Sequence, residues 1–302
     1  MEQMNLFDFM LEESKVIKEL QTKETNWLLV DGNNLLNRAY YATAQKLMTA
    51  PDGRYTNAVS LFIKMLLSYQ KELNAHVAVM FDDGKSYRKD KYPPYKDGRN
   101  ETPAQLEEQF PLIKEVLNKA EIPVFSDPMY EADDLIASAA QQVEGNIYIL
   151  SNDRDLYQLI SDRVTVIVRK NKEDVHMTPT QFSNDFEGLQ PYQIVDLKAL
   201  EGDKSDNIPG VEGIGGKGAF NLIKAFSSIE ELIEVKEFPK TLQRYQSKLE
   251  SGKENAVFFK ELTTLHTDIP MTLNTYQMNK QACINICESL AIHSVTRILK
   301  NY

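Results

Sequence analysis

Cysteine and histidine are scarce in this 302-residue chain, and each scarcity narrows its chemistry. The two cysteines, Cys283 and Cys287, lie one helical turn apart without the Cys/His spacing of a zinc site, so buried or half-buried thiols are expected. The four histidines, His76, His176, His266 and His293, stand apart from every cluster described below. A histidine-activated nucleophile is therefore not expected, and water is. No apolar run approaches the roughly 20 residues of a membrane span. The start of the chain, with Glu2, Glu12 and Glu13, is unlike a signal peptide, so a soluble, cytoplasmic protein is expected. Internal repeats and low-complexity tracts are not evident either.

Positive charge is also short, with a formal net charge of -10. That balance argues against phosphate-rich partners, which normally meet a basic surface. The deficit is local, however. The ten acids Asp31, Asp82, Asp83, Glu131, Asp133, Asp134, Asp153, Asp155, Asp203 and Asp206 match the whole excess. Carboxylates that converge repel one another unless cations neutralise them, and hard divalent ions such as Mg²⁺ or Mn²⁺ suit oxygen ligands. Basic stretches remain at Arg88-Lys89-Asp90-Lys91 through Lys96 and Arg99, and at Arg169-Lys170-Asn171-Lys172.

What is present in quantity is a core: 42% hydrophobic residues can close one or two domains without disulfides. Residues 1 to about 25 are charged and lack a strand, which reads as a helical or disordered extension. Trp27-Leu28-Leu29-Val30, Val77-Ala78-Val79-Met80-Phe81 and Asn146-Ile147-Tyr148-Ile149-Leu150 are apolar runs that end at Asp31-Gly32, Asp82-Asp83-Gly84 and Ser151-Asn152-Asp153. Each has the profile of a buried strand, and helix-like segments at about 57–73, 103–120 and 132–143 alternate with them. The pattern predicts an α/β fold with a mostly parallel central sheet flanked by helices. Open sheets of this kind bind ligands beyond the carboxyl ends of their strands, where these acids fall. After about residue 185 helices are expected near 191–201, 217–226, 229–235, 239–249, 253–264 and 280–300, forming a helical C-terminal lobe.

Three motifs admit two readings each. Glu131-Ala132-Asp133-Asp134 opens a helix, where acids serve as caps as readily as ligands. Gly213-Ile214-Gly215-Gly216-Lys217-Gly218 fits G-x-G-x-x-G but follows a helix rather than a strand, and Gly218 stands where a P-loop needs Ser or Thr. Pro209 to Gly215 reads better as a glycine-rich hairpin between helices, either a tight turn or a backbone grip on phosphate. Ser86 to Arg99 interleaves cations with Tyr87, Tyr92 and Tyr95, which suits a single-strand path or a solvated loop.

Taken together these motifs resemble the 5′ nuclease family: the N-terminal 5′-3′ exonuclease domain of bacterial DNA polymerase I, its stand-alone bacterial and phage relatives, and flap endonucleases. The residues that carry the resemblance are Leu28 to Gly32 with Arg38-Ala39-Tyr40-Tyr41-Ala42; Phe81-Asp82 with Tyr87-Arg88, Tyr95-Lys96 and Arg99; Tyr130 to Asp134; Asp153-x-Asp155-Leu156; and Gly202-Asp203-x-Ser205-Asp206 through Gly215. They run in family order from about residue 27 to 226.

The resemblance implies a PIN-like core at 26–185 with a helical arch at about 85–115, and a lobe at 186–302 containing a helix-hairpin-helix element. It implies a phosphodiesterase with two Mg²⁺ per site, Mn²⁺ substituting, acting on DNA with 5′ flaps, nicks or 5′ ends, including RNA-primed ends, as a monomer in a bacterial or phage-infected cell. By family position Asp31, Asp82, Glu131 and Asp133 serve mainly the first metal; Asp153, Asp155, Asp203 and Asp206 serve the second, with Asp134 assisting. Lys96 and Arg99 are the electrostatic helpers. Arg38, Tyr40, Arg88, Tyr95, Gly210, Gly213, Gly215 and Lys217 are the implied DNA contacts, with K⁺ at the hairpin. Gly216 and Gly218 depart from the Glu and Thr common there. Gln3-Met4-Asn5-Leu6-Phe7 resembles a sliding-clamp peptide, with Gln3, Leu6 and Phe7 as its contacts. A non-cutting binder of branched DNA and a small-molecule phosphatase are the rival readings.

Overall fold

The protein is described from a computed structural model covering residues 25–84 and 86–301. The extension with Gln3, Leu6 and Phe7 lies outside the described residues.

A six-stranded sheet, in the spatial order β3 (Val124–Asp127), β2 (Ala75–Asp82), β1 (Asn26–Asp31), β4 (Asn146–Leu150), β5 (Val164–Lys170) and β6 (Glu173–Met177), organises the first half of the chain. The three anticipated strands are β1 (Asn26–Asp31), β2 (Ala75–Asp82) and β4 (Asn146–Leu150). They lie side by side in parallel, with β1 between β2 and β4. Leu28, Leu29 and Val30 have no exposed surface, and burial of such a side chain contributes about 1.5–3 kcal/mol. Three strands had no such signature. β3 (Val124–Asp127) is a short, half-exposed edge, and β5 (Val164–Lys170) and β6 (Glu173–Met177) form an antiparallel hairpin. Its turn uses Asn171 and Lys172 at φ of 51° and 68°, so the expected basic stretch at 169–172 is a hairpin tip.

Because chain order reverses at β1, with β2 on one side and β4 on the other, a crevice opens at the carboxyl ends of these strands. The turn from β1 into the helix Gly32–Thr43 is tight. A Cβ at residue 32 would lie 2.5 Å from the Phe81 ring, so only glycine lets β1 end there. The helix Asn57–Leu73 has the expected limits, whereas the helix foreseen at 103–120 is two, Ala104–Glu107 and Gln109–Lys119.

Residues 86–103 hold little helix, only Tyr87–Lys91. They make a strap docked on the body: Lys96 N–H donates to the Asp206 carbonyl at 3.0 Å, Asn207 donates to the Pro94 carbonyl at 2.8 Å, and the Tyr92 hydroxyl donates to the Asn207 carbonyl at 3.3 Å.

The C-terminal lobe packs Ile194–Glu201 against Gly216–Phe226 and Gln246–Thr263. Lys260 ties it together with bonds to Asp196 at 2.7 Å and Glu230 at 2.6 Å. The break anticipated between 249 and 253 is absent because Gly252 is a packing site: a Cβ there would lie 2.6 Å from Val211 of the hairpin. The final helices, Lys280–Ser289 and His293–Lys300, leave the lobe and pack on the helices of the sheet's far face. Cys283 and Cys287 are buried and free there.

Candidate active site

Each strand end delivers one carboxylate to the crevice. Asp31 closes β1 and caps the following helix, accepting from Asn34 N–H at 2.9 Å and from the Ser151 hydroxyl at 2.8 Å. Asp82 closes β2 and accepts from Ala132 N–H at 2.8 Å, which ties the strand to the start of the helix Ala132–Gln142. Asp153 follows β4, and its carboxylate accepts from Asp155 N–H at 3.0 Å. Asp127 holds the turn before Glu131 by accepting from Met129 N–H at 2.8 Å.

From the lobe, Asp203 and Asp206 lie on a tight loop closed by paired bonds between the backbones of Asp203 and Ile208. One carboxylate oxygen from each of Asp155, Asp203 and Asp206 lies within 4.8 Å of the others. Asp31, Asp82, Asp133 and Asp153 border a second, adjoining space that Lys96 and Arg99 overlook from the strap.

The electrostatics of the two halves differ. Burial raises Asp31 to about 7, and the charges of Asp82 and Asp153 add to it against the bonds from Asn34 and Ser151. Burial, then the charges of Asp153, Asp31 and Asp82, holds Asp133 well above the usual carboxylate range. Burial also raises Asp153, partly opposed by Lys198. Asp203 goes the other way. Burial works against its ionisation, but Lys198 and Ser205 outweigh that and hold it at about 2.

Cations from the protein already stand against several acids. Lys96 Nζ meets Glu131 at 2.6 Å, Arg99 meets Asp206 at 2.6 Å, and Lys198 Nζ bonds both Asp155 and, at 2.6 Å, Asp203. Lys198 carries no family motif in the sequence. Its signal was position: it is the one basic residue of Ile194–Glu201, a helix with apolar residues on every side.

Three expected roles are corrected. Asp134 has no exposed surface and is held by Arg88 at 2.5 and 2.8 Å and by His266 N–H at 3.0 Å, so its oxygens face a guanidinium rather than the crevice. It also completes the cap of its helix by accepting from Glu131 N–H at 3.2 Å. Arg88, only 2% exposed and donating further to the Leu262 and Thr264 carbonyls, has no face left for DNA. Tyr95 is buried too. Its hydroxyl donates to Glu131 at 3.0 Å or Asp206 at 3.1 Å, so it positions carboxylates instead of stacking on a base. Burial and then those two charges raise its pKa, which keeps it a neutral donor.

The other implied DNA contacts are distributed unevenly. Tyr40 is buried while its neighbour Tyr41 is 65% exposed. Arg38 is half-buried against Tyr69 at 3.3 Å. Gly213, Gly215 and Lys217 are exposed on the hairpin, and Gly210 is buried beneath it. Gly210 has φ +69°, and a Cβ there would lie 2.4 Å from Gly202 N, so the hairpin closes only with glycine at this point. The Gly213 carbonyl accepts from Lys248 Nζ at 2.8 Å. Asp83 also borders the crevice and accepts from the Ser126 hydroxyl at 3.1 Å.

Acids gathered at a sheet's switch point, under a cationic strap and beside a glycine hairpin, are the apparatus of a nuclease. Comparison with known proteins gives the same class. A family model for the 5′-3′ exonuclease N-terminal resolvase-like domain matches residues 26–187, and one for the 5′-3′ exonuclease C-terminal SAM fold matches residues 189–284. The chain belongs to the 5′-3′ exonuclease family. It is 38% identical over 265 residues to a 5′-3′ exonuclease of Halalkalibacterium halodurans, covering 83% of this chain and 87% of that one. It is 38% identical over 286 residues to DNA polymerase I of Bacillus subtilis, covering 91% of this chain but only 32% of the polymerase. Among solved structures, the T5 D15 protein crystallised with metal ions shares the fold at a TM-score of 0.65 and 24% identity, covering 91% of this chain and 98% of that one. No described helix is long and apolar enough to cross a membrane.

Proposed function

We propose that the protein is a Mg²⁺-dependent, structure-specific 5′ nuclease that hydrolyses phosphodiesters at 5′ flaps, nicks and 5′ ends in replication or repair. The observation that carries this reading is the meeting of Asp31, Asp82, Asp133 and Asp153 with Asp155, Asp203 and Asp206 at one crevice. The residues fit divalent cations: three carboxylate oxygens lie within 4.8 Å, and burial and mutual repulsion leave Asp31, Asp133 and Asp153 reluctant to ionise alone.

Asp31, Asp82, Glu131 and Asp133 would hold one ion, and Asp153, Asp155, Asp203 and Asp206 the other. Bound there, the ions would activate a water and offset charge on the phosphate. Lys96 and Arg99, on the strap, stabilise the charge that develops on the phosphate oxygens. Tyr95 keeps Glu131 and Asp206 in register for ligation. The strap is the element beside which a 5′ single strand would pass, with Tyr41 as an exposed ring for stacking.

The hairpin and Lys217 grip the duplex through its backbone without reading bases. A K⁺ ion at the hairpin would share the Gly213 carbonyl with Lys248. Gln3, Leu6 and Phe7 would tether the enzyme, a monomer, to a sliding clamp, and unchanged clamp affinity after deleting residues 1–10 would reject that tether. The whole reading is tested by mapping products on a 5′-labelled flap, a nicked duplex and an RNA-primed duplex with Mg²⁺. Cuts at the junction and short 5′ products support it, and intact substrates in all three sink it.

A further inference from the structure

The acids of this site are not equally supplied with counter-ions. Of the four acids assigned to the first ion, Asp31, Asp82 and Asp133 make no ion pair within 4 Å among the described residues, and Glu131 alone meets cations, Lys96 at 2.6 Å and Arg88 at 3.5 Å. Asp155 and Asp203, by contrast, share the ammonium of Lys198. That ammonium is not a surface charge: the Lys198 side chain is only 12% exposed, and Asp155 and Asp203 are 13% and 15% exposed. An ion entering between Asp155, Asp203 and Asp206 would meet Lys198 on the Asp155 and Asp203 carboxylates and Arg99 on Asp206.

We propose that Lys198 is the resident counter-ion of the second metal position, and that a divalent cation enters there only by displacing its ammonium. This rests on the two-metal reading above and makes the two positions unequal in affinity. Lys198 keeps Asp155 and Asp203 together in the metal-free protein, where two half-buried carboxylates at this separation would otherwise repel. The same charge opposes the incoming ion, so the second position fills after the first.

Lys198 has somewhere to go. It borders a cavity of about 650 Å³ between the Asn152–Arg154 turn and the lobe, and Glu201, one helical turn further along the same helix, borders that cavity too. Residues three apart on a helix are neighbours, so a displaced Lys198 can swing to Glu201 without any backbone change. Gly216 leaves room for this. A Cβ there would lie 2.7 Å from Glu201 Oε2, so the glycine leaves the receiving carboxylate in place.

Lys198 is thus a positioning residue whose effect is read in metal affinity, without DNA. Mn²⁺ titration followed by calorimetry and by electron paramagnetic resonance should show one tight and one weak site in the native chain. Lys198→Met should tighten the weak site about tenfold or more and leave the tight site within about twofold, because a like charge is removed from one position only. Lys198→Arg, which keeps the charge, should restore the weak site. A weak site unchanged or weakened in Lys198→Met overturns the proposal, as does an equal change at both sites.

The native chain provides a second readout should Lys198→Met fold poorly. Saturating Mn²⁺ should raise the rate at which an amine-acylating reagent labels Lys198, as read by mass spectrometry, and an unchanged or lowered rate contradicts displacement. If no Mn²⁺ binds at all, the metal reading of the site falls first.

Discussion

Arg88 and Asp134 form a buried ion pair joined by two hydrogen bonds, at 2.5 and 2.8 Å, with 3% and 0% of their side chains exposed. The pair links the base of the strap to the helix that presents Glu131 and Asp133, and through Leu262 and Thr264 it reaches the end of the long lobe helix. It is the joint on which the strap, the sheet and the lobe meet. It lies beside the clustered acids of the crevice without adding an open carboxylate to them.

Removing one member leaves the other charged and buried. Asp134→Ala or Arg88→Ala should therefore lower the unfolding free energy by roughly 3–5 kcal/mol in urea titrations. Replacing both with apolar residues of similar volume should recover most of the loss. If Asp134 were instead a metal ligand, Asp134→Asn would weaken Mn²⁺ binding while stability stayed level, and that outcome would overturn the assignment.

Lys96→Ala should lower kcat on a flap substrate by roughly 10²–10³-fold, the range for loss of one donor to a developing oxyanion. DNA affinity should change far less. A matching loss in affinity would make Lys96 a binding residue instead.

Stability without metal should depend on pH in an unusual direction. Asp31 sits at about 7 in the folded chain against 3.8 for a free side chain, and Asp133 and Asp153 are also raised. A raised folded pKa means that the native state holds its proton more tightly than the unfolded state. The benefit is present in full below the unfolded pKa and is lost as pH rises through the folded one. In EDTA, the unfolding free energy should fall as pH rises from about 4 to about 7, by an amount on the order of a few kcal/mol from these groups, and Tm should fall with it. Asp31→Asn should flatten that slope. A slope that persists unchanged in Asp31→Asn contradicts the assignment.

Gly210→Ala should damage the hairpin more than the nuclease core. The added Cβ meets Gly202 N at 2.4 Å, and the residue is held at φ +69°. A stability loss of about 1–3 kcal/mol is expected, together with weaker duplex binding in a filter or anisotropy assay. Unchanged duplex affinity would remove the hairpin from the DNA interface.

Much of this site was written in local sequence, and the part that was not has a common cause. β1, β2 and β4 are buried on both faces, so they appear as unbroken apolar runs ending in acids. β3 is an edge of three half-exposed residues and one exposed, and β5 runs out into Arg169 and Lys170, so neither resembles a buried strand. Motif position found the acids but not their partners. Whether Asp134 points at a metal or at Arg88, and whether Tyr95 faces a base or Glu131, is decided by contacts between residues 46 and 36 positions apart. Lys198 was overlooked for the same reason: in sequence it is an ordinary helical lysine, and only folding sets it between Asp155 and Asp203.

The central claim is that these acids act together through divalent cations to cut DNA at a 5′ junction, and single-turnover cleavage of a 5′-labelled flap tests it most directly. With Mg²⁺ the native chain should cut near the junction; EDTA or Asp153→Asn should abolish cutting while anisotropy shows the flap still bound. Cleavage that survives EDTA or Asp153→Asn, or none by the native chain with Mg²⁺, would contradict the account.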